Sequence, residues 1–302
     1  MSEASPAQQA GQQKPAERLA VRKTYKLYIG GKFPRSESGR SYPVRDGKGA
    51  LLALAARGSR KDARDAVVAA RGALGGWSGA TAYNRGQVLY RVAEMLEGRS
   101  AQFAAEVGAA EQISAKAARA QVSVAVDRWV WYAGWPDKVS QLAGSPNQVA
   151  APFLNVSTPE PTGVVAIVAP PLSSLLGLVS VIAPVIATGN TAVVVASQDR
   201  PLPAITLAEV LATSDLPGGV VNLLTGDPAE MAPVLAGHMG VDAIDVTGAG
   251  DAATELERLA AGNLKRVLRP RGDAEPDWAQ QPGTERLLAF LEIKTVWHPA
   301  GI

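Results

Sequence analysis

Short apolar runs alternate with amphipathic segments between residues 163 and 269. The runs are rich in Val, Ile and Leu, and they predict strands over 163–170, 191–197, 219–226, 243–248 and 264–269. The segments between them have helical spacing and predict helices over 172–189, 201–212, 228–237 and 250–261. Near-continuous apolar strands that alternate with helices are typical of a parallel sheet covered on both faces. We therefore predict an α/β fold with a Rossmann-like, mostly parallel sheet.

The chain before residue 144 is mostly helical in pattern. Short β-like pieces over 25–57 come first, and the Gly30-Gly31 pair among them favours a tight hairpin turn. A helix is predicted to begin after Ser59, an N-cap residue type with Asp62 three residues further on. Helical spacing continues to residue 134 and ends in an aromatic cluster, which we interpret as packing.

The carboxyl ends of the predicted strands form the candidate ligand site, because parallel sheets of this kind bind ligands there. The dipeptides that end the first four predicted strands are expected to lie on one rim, and they are 169–170, 196–197, 225–226 and 247–248. The last dipeptide overlaps the run Gly248-Ala249-Gly250-Asp251-Ala252-Ala253, which fits the G-x-G-x-x-A pattern of dinucleotide sites. That pattern belongs to the first strand–helix turn of a Rossmann unit, whereas here it follows the fourth strand.

Composition excludes several classes of function. The 302 residues carry a formal net charge of +2, which is too close to neutral to predict a nucleic-acid or anionic-membrane partner. The chain has no cysteine and two histidines, which excludes disulfides, thiolate ligands, a thiol nucleophile and a histidine-rich metal cluster. The most apolar run, residues 175–187, contains a proline and is too short to span a bilayer. We predict a metal-free cytoplasmic protein.

Two polar stretches border the predicted domain. Residues 1–24 lack the apolar segment of a signal peptide, and we predict a disordered leader. Residues 270–286 contain three prolines and two glycines, and we predict a linker. Residues 287–302 then close the chain with a segment that alternates like a strand.

The motifs of the central region resemble those of the aldehyde dehydrogenase superfamily. The matching sequences over residues 158–268 are EPTGVVAIVAP, IAPVIATGNTAVVV, DLPGGVVNLLTGDP, VDAIDVTG and AAGNLKRV, in the family's order and spacing. The resemblance implies a coenzyme-binding domain with an N-terminal β/helical part over 25–143 and a Rossmann-like core over 161–269. It also implies a small β oligomerisation element, made of a hairpin at 144–160 and the C-terminal strand.

The catalytic domain of that family has no counterpart in the sequence. In family members it lies between the fifth coenzyme-domain strand and the closing strand, where this chain has only the predicted linker. The family's nucleophilic cysteine belongs to that domain. Leu172 stands where the family has the oxyanion-binding Asn of P-W-N, and Pro270 stands where it has the general-base Glu of E-L-G-G-K. The resemblance therefore implies an inactive member with no catalytic residues.

The positions that would hold the dinucleotide are also altered. The sequence Val195-Ala196-Ser197-Gln198 replaces the family's K-P-S-E at the adenosine ribose, so the lysine cation is lost. The sequence Val246-Thr247-Gly248-Ala249 replaces F-T-G-S at the pyrophosphate, and we interpret the G-x-G-x-x-A match as a chance feature of this turn. The vestigial cofactor-binding positions are Pro170, Ser197, Gln198, Gly226, Thr247 and Gly248. We expect no required cofactor and at most weak binding of NAD or NADP.

Three interpretations follow. The first is a non-catalytic or scaffolding subunit, in homo-oligomers or in hetero-oligomers with a full-length aldehyde dehydrogenase. The second is a residual dinucleotide binder, because the helix after Gly248 would offer N–H groups and a dipole to a phosphate. In that case Arg269 and Arg271 would meet a 2′-phosphate; otherwise they lie solvated in the linker. The third is a drifting relic without a selected role.

Two further sets of polar residues could suggest chemistry. Ser173 and Ser174 lack a G-x-S-x-G elbow, and the two histidines are predicted at a helix end and in the tail, so no serine nucleophile is predicted. Asp242 and Asp245 lie on opposite faces of a strand-like segment. We expect solvated or capping roles for both.

Overall fold

The computed structural model describes residues 23–270, 272 and 274–300. The strands are β1 (Thr24–Tyr25), β2 (Ser41–Arg45), β3 (Leu51–Ala56), β4 (Ser145–Asn147), β5 (Phe153–Pro161), β6 (Val164–Val168), β7 (Thr191–Val195), β8 (Val221–Leu224), β9 (Ala243–Asp245), β10 (Arg266–Leu268) and β11 (Leu291–Pro299). The helices are α1 (Arg60–Gly79), α2 (Ala82–Glu97), α3 (Ser100–Glu111), α4 (Ala115–Ala133), α5 (Val139–Ala143), α6 (Leu176–Ala187), α7 (Leu202–Leu211), α8 (Pro228–Gly237), α9 (Ala253–Ala260) and α10 (Glu285–Leu288). Short 3₁₀ turns at Gly250–Ala252 and Ala261–Asn263 flank α9.

A five-stranded sheet forms the centre of the molecule, in the order β10-β9-β6-β7-β8. All its neighbouring strands are parallel, so the predicted Rossmann-like α/β fold is confirmed. Every residue of β6 and β7 is buried, which agrees with their high content of Val, Ile and Ala. The observed strands end one to three residues before the predicted ends, where the chain leaves the ladder at the rim.

Helices cover the two faces of this sheet with separate apolar clusters. Alternate residues of β6 point to opposite faces, with Val164 and Ala166 in one cluster and Val165 and Ile167 in the other. The first cluster includes α1, α8 and α9, and the second includes α2, α3, α4, α6 and α7. Helix α6 is buried along its whole length because it lies between the sheet and the outer helices.

The glycine turn and the helix cap predicted in the N-terminal part are both present. Gly30 and Gly31 have φ values of 60° and 78° in a tight turn closed by an Ile29–Lys32 bridge. Positive φ at both central residues is the requirement of a type I′ hairpin, which glycine meets without strain. Ser59 caps α1 in a capping box, accepting from the Asp62 N–H while the Asp62 carboxylate accepts from the Ser59 N–H.

Replacement of Ser59 by alanine should destabilise the fold by about 1 kcal/mol, because two N–H groups of the first turn of α1 lose their acceptor. Urea unfolding of the purified protein measures this loss. Ser123→Ala is the matched control, since the exposed Ser123 hydroxyl only donates to the carbonyl of Arg119 within α4. Equal stabilities for the two variants would contradict the capping assignment.

The C-terminal strand lies in a separate three-stranded antiparallel sheet, in the order β11-β5-β4. A third small sheet, β1-β3-β2, packs near the N-terminus. The predicted leader over 1–24 lies outside the described residues except for its last two, of which Thr24 belongs to β1. Within the part that the structure describes, no helix has the length and apolar character needed to cross a membrane.

Glu106 on α3 carries a carboxyl group that is enclosed between β1, α3 and α7. One of its oxygens accepts from Tyr25 Oη at 3.2 Å, Gln102 Nε2 at 3.1 Å and Thr206 Oγ1 at 2.9 Å. The other oxygen is buried and has no partner among the described residues. Burial raises the pKa of Glu106 above its usual 4.5, although these hydrogen bonds and the Lys23 charge oppose the shift.

This raised pKa predicts a pH dependence of stability. Between pH 4.5 and the folded-state pKa, the folded protein binds more protons than the unfolded chain, so the free energy of unfolding should fall as the pH rises. Glu106→Gln should flatten this slope, whereas Glu97→Gln, at an exposed position of α2, should preserve it. Urea titrations at a series of pH values from 4.5 to neutrality measure both slopes. An unchanged slope in Glu106→Gln would contradict the assignment.

Candidate functional site at the carboxyl rim of the sheet

The central sheet brings the predicted rim residues together. In its register Val168 pairs with Val195, Val195 pairs with Leu224, and Ile167 pairs with Asp245. The dipeptides that follow β6, β7, β8 and β9 therefore lie side by side, as the sequence predicts. Residues of the segment that joins β10 to β11 contact this rim. We call this segment, residues 269–290, the connecting segment.

Arg286 of the connecting segment occupies the end of β9. Its guanidinium donates to the Asp245 carboxylate at 2.6 Å and to the Thr247 hydroxyl at 2.8 Å. Asp245 is fully buried, and it also accepts from the N–H of Thr247 at 2.9 Å and from its hydroxyl at 2.5 Å. We expected a solvated or capping role for Asp245. The solvated role is wrong, because the carboxylate is buried, ion-paired and hydrogen-bonded.

Glu275 of the same segment lies over the chain that leads from β6 into α6. One carboxylate oxygen accepts from the N–H of Leu172 at 2.9 Å, and the other accepts from the N–H of Ser173 at 3.0 Å. The next N–H group, that of Ser174, donates to Glu111 at 2.7 Å. The backbone donors before α6 are thus satisfied by two carboxylates of the chain itself.

Trp278 packs between these two ends of the rim and is 8% exposed. Its Nε1–H donates to Glu275 at 2.9 Å, and the guanidinium of Arg286 lies 5.2 Å from the ring centroid, within the range of a cation–π contact. Gly177 of α6 allows the close approach, since a Cβ there would lie 2.9 Å from the indole nitrogen. The predicted linker therefore packs closely on the rim from Glu275 onwards.

Buried Arg128 of α4 holds the backbone of the connecting segment from the other side. It donates to the carbonyls of Trp278 at 2.7 Å and Gln280 at 2.8 Å, and to the Ser180 hydroxyl at 3.0 Å. Burial lowers the pKa of the Arg128 guanidinium, and the nearby charge of Arg286 lowers it further. In the described contacts, all the acceptors of the Arg128 guanidinium are neutral. Arg128 thus connects the connecting segment to α4.

The two positions predicted at the adenosine ribose have different surroundings. Ser197, which follows β7, is buried, donates to the carbonyl of Pro171 at 2.9 Å and accepts from the N–H of Arg200 at 3.3 Å. Its hydroxyl thus links two rim loops instead of facing open space. Gln198 is exposed, and its carbonyl accepts from Tyr42 Oη at 3.0 Å.

Gly226, after β8, lies against the chain that enters α1. It has a φ of 131°, and a Cβ at this position would lie 2.9 Å from the N atom of Gly58. The Gly58 N–H donates to the carbonyl of Thr225 at 2.8 Å, and the Thr225 hydroxyl donates to the carbonyl of Ala56. The glycine therefore allows close contact between these two backbone segments.

The turn after β9 has the same character. A Cβ on Gly248 would lie 1.9 Å from the carbonyl oxygen of Ala169, so this glycine packs directly on the Ala169-Pro170 chain, where Pro170 is buried. The Gly248 N–H donates to the carbonyl of Val168 at 2.9 Å, and that of Ala249 donates to the carbonyl of Val246 at 3.0 Å. These two N–H groups, which precede the helix expected to meet a phosphate, already have acceptors within the chain.

Several of the predicted dinucleotide-binding positions use their hydrogen-bonding groups for contacts within the chain. Thr247 is bound by Asp245 and Arg286, the N–H groups of residues 247–249 are paired, and the ribose-position serine is used between loops. The cavity beside the start of α9 has a volume of about 280 Å³ and is lined by Thr247, Asp251 and Arg269. This volume lies at the lower limit of small-molecule sites, which measure about 300–1,000 Å³.

The remaining polar candidates have structural partners. Arg269 contacts Glu257 and Thr254, each at 3.2 Å, and Arg271 lies outside the described residues. The Ser173 hydroxyl accepts from the N–H of Gly177, and the Ser174 hydroxyl donates to Glu111. Asp242 caps the start of β6 by accepting from the N–H of Val164, so its capping role is confirmed. His238 follows α8 as predicted, whereas His298, predicted in the tail, lies within β11.

Sequence reasoning did not identify Arg286, Glu275 or Trp278 as site residues. All three lie in or next to a stretch whose Pro and Gly content is typical of linkers. A tryptophan within such a polar stretch was the one available signal, because large aromatic side chains are usually buried. Within the described residues no cluster of three acidic or histidine side chains is arranged to hold a metal ion.

Comparison with known proteins agrees with this fold. The family model described as "Aldehyde dehydrogenase family" matches residues 34–272. Aldehyde dehydrogenase family 2 member B4, mitochondrial, from Arabidopsis thaliana is 33% identical over 83% of this chain and 47% of its own length. Cytosolic 10-formyltetrahydrofolate dehydrogenase from Mus musculus is 31% identical over 87% of this chain and 30% of its own length.

Solved structures of the same family superpose on the chain. A betaine aldehyde dehydrogenase point mutant from Staphylococcus aureus, in complex with NAD⁺, has a TM-score of 0.77 and 26% identity, and the match covers 80% of this chain and 49% of that one. HpcC from Thermus thermophilus has a TM-score of 0.76 and 31% identity, with 81% and 47% covered. The chain thus spans about half or less of the length of these relatives. It belongs to the aldehyde dehydrogenase family.

Proposed function

We propose that this protein is a catalytically inactive member of the aldehyde dehydrogenase family that acts as a non-catalytic or scaffolding subunit. It would assemble with itself or with a full-length aldehyde dehydrogenase. The observation that carries the proposal is the rim itself: the connecting segment places Arg286, Trp278 and Glu275 on it, and the chain contains no cysteine.

The chemistry of the rim supports inactivity. Oxidation through a covalent intermediate requires a nucleophile, a base and donors for a developing oxyanion. The N–H groups of Leu172 and Ser173, which could serve as such donors, are paired with the Glu275 carboxylate. A negative charge at this place would repel a developing oxyanion instead of stabilising it. No thiol is available as the nucleophile.

No cofactor is required for the proposed role. NAD and NADP would bind weakly at best, because each would have to displace Arg286 from Thr247 and find donors other than the paired N–H groups. The hypothesis of a residual dinucleotide-binding protein therefore has less support than the subunit proposal. A relic without a selected role would show neither binding nor assembly.

The exposed sheet β11-β5-β4 supports assembly. It carries large apolar side chains that remain accessible, with exposed fractions of 40% for Phe153, 55% for Leu154, 51% for Ile293, 48% for Val296 and 58% for Trp297. By the register of β5 and β11, Phe153, Ile293 and Trp297 lie on one face of the sheet, and Leu154 and Val296 lie on the other. An exposed apolar patch of this kind marks an interaction site. A role in assembly needs no chemistry at the rim. It is therefore consistent with a rim that is covered by side chains of the connecting segment.

Co-expression tests the proposal. The tagged protein would be produced with each full-length aldehyde dehydrogenase of the same genome, and the captured complex would be measured by light scattering after size exclusion. We expect a homo-oligomer, a stable complex with one of these enzymes, or both. A monodisperse monomer that captures none of them would overturn the proposal. The proposed location is the cytoplasm, which fractionation of cell extracts tests.

A further inference from the structure

A cavity of about 300 Å³ lies between α4 and the connecting segment. One wall is a single face of α4, because Val124, Asp127, Arg128 and Trp131 follow one another at helical spacing. The facing wall is formed by residues 279–282 of the connecting segment. The volume is at the lower limit of small-molecule sites, about 300–1,000 Å³, so the cavity has the size for a small ligand.

Arg128 supplies the buried charge of this cavity and is 6% exposed. A guanidinium has five N–H donors. In the described contacts, three are used by the Ser180 hydroxyl and by the carbonyls of Trp278 and Gln280, which leaves two for a further acceptor. All three of these acceptors are neutral. Since a buried charge without a counter-ion is costly, a bound anion would stabilise Arg128.

The other charges near Arg128 do not replace such an anion. Arg286 is a second cation, and its own carboxylate partner is Asp245. Asp127 lines the cavity but is exposed, so its charge is screened by solvent. The buried part of the cavity is therefore positively charged.

Trp131 supplies an apolar wall beside this charge. Its ring is partly buried and contacts Tyr132 edge to face, with ring centroids 4.8 Å apart. This contact restricts the orientation of the indole. Val124 and Pro282 add further apolar surface to the cavity. A ligand that fits these walls has an anionic group at one end and an apolar body.

We propose that this cavity binds a small organic carboxylate, which accepts from the Arg128 guanidinium and packs its apolar body against Trp131. The three hydrogen bonds of Arg128 within the chain hold the guanidinium in place, so little ordering is needed on binding. The family model matches only up to residue 272, so the wall at residues 279–282 lies beyond that match. The inference does not depend on the proposed assembly, because the cavity shares no lining residue with the sheet β11-β5-β4.

Three ligands of similar shape and different charge test the proposal on the wild-type protein. Phenylacetate, its neutral amide phenylacetamide and the cation phenethylamine are titrated separately by calorimetry at low salt. Phenylacetate should bind one-to-one with a Kd of about 1 mM or below, as expected of so small a ligand. The amide and the amine should bind at least about 30-fold more weakly, because neither presents a carboxylate to the buried cation.

L-Phenylalanine distinguishes two sources of the carboxylate. It carries the same group together with an ammonium, which Asp127 at the exposed side of the cavity would attract. Tighter binding of L-phenylalanine than of phenylacetate would identify an amino acid as the ligand class. Tighter binding of phenylacetate would identify a simple carboxylic acid.

Variants of α4 test the role of the guanidinium. Arg128→Gln should weaken the binding of phenylacetate by at least about 30-fold. Arg128→Lys should retain part of the affinity, because it keeps the charge but loses the fork of donors. Arg119→Gln is the matched control and should bind like wild type, since Arg119 is exposed on the same helix and does not line the cavity.

Fluorescence locates the bound ligand without a change at Arg128. Phenylacetate should change the tryptophan emission of the wild type in a saturable way, and this change should be absent in Trp131→Phe. The measurement decides the question if Arg128→Gln does not fold.

Several results would overturn the carboxylate site. They are a lack of saturable binding by phenylacetate and L-phenylalanine, an amide or amine that binds as tightly as phenylacetate, and a folded Arg128→Gln variant with wild-type affinity. An emission change that persists in Trp131→Phe would also overturn it. None of these results bears on the proposed subunit role, which the co-expression experiment measures separately.

Discussion

Replacement of Arg286 by methionine should lower the free energy of unfolding by about 3–5 kcal/mol, because removing one partner of a buried ion pair leaves the other charge uncompensated. Asp245 is fully buried, and in the described contacts Arg286 is its only cationic partner, at 2.6 Å. Methionine approximates the length of the side chain, so the loss reports mainly on the charge. Urea or thermal unfolding of the purified variant measures the change.

Two further variants identify the source of this effect. Arg266→Met removes an ion pair with Glu292 whose side chains are 43% and 52% exposed, and it should cost less than about 1 kcal/mol. Adding Asp245→Asn to Arg286→Met should recover part of the loss, because the unpaired charge is then removed. If Arg286→Met and Arg266→Met were equally stable, Arg286 would not be bound at the rim.

Replacement of Trp278 by alanine should cost about 3–5 kcal/mol, the range for large buried aromatic side chains. The indole is 8% exposed, donates to Glu275 and stacks on Arg286, so its removal leaves a cavity and frees both neighbours. Chemical unfolding measures the loss. Fluorescence is a second readout, because a tryptophan leaves the set of six.

Trp278→Phe is the matched control. Phenylalanine keeps most of the apolar contact and loses only the hydrogen bond to Glu275, so it should cost clearly less than alanine. Because Trp278 and Arg286 are in contact, their effects should not add in the double variant. A Trp278→Ala variant within about 0.5 kcal/mol of wild type would contradict the packed state of the connecting segment.

The central fold could be predicted because its signals are local and repeated. The strands β6 and β7 consist of residues that fit only a buried environment, and the helix between them is apolar on all sides. Ser59 and Asp62 specify the start of α1 within four residues. The ends of the strands were less well predicted, because the apolar run continues through Ala169 and Ala196 after the ladder has ended.

The arrangement of the rim depends on contacts that no local pattern encodes. Arg286 and Asp245 are 41 residues apart in sequence, and Glu275 is 103 residues from the N–H of Leu172. The residues predicted for the cofactor lie together on one rim, where Ser197, Thr247 and Gly248 hydrogen-bond within the chain. Ser197, Gly226 and Gly248 are the residue types expected for a cofactor site, but in this structure they make contacts between loops.

We propose that the rim is occupied by the protein's own side chains and does not serve as a coenzyme site. Isothermal titration calorimetry with NAD⁺ and with NADP⁺ tests this proposal. Each nucleotide is titrated to a few times ~1 mM, since a Kd of ~1 mM corresponds to about 4 kcal/mol of binding free energy. A full-length aldehyde dehydrogenase titrated under the same conditions is the positive control. We expect no saturable heat for this protein with either nucleotide. Saturable one-to-one binding with a Kd well below 1 mM would contradict it.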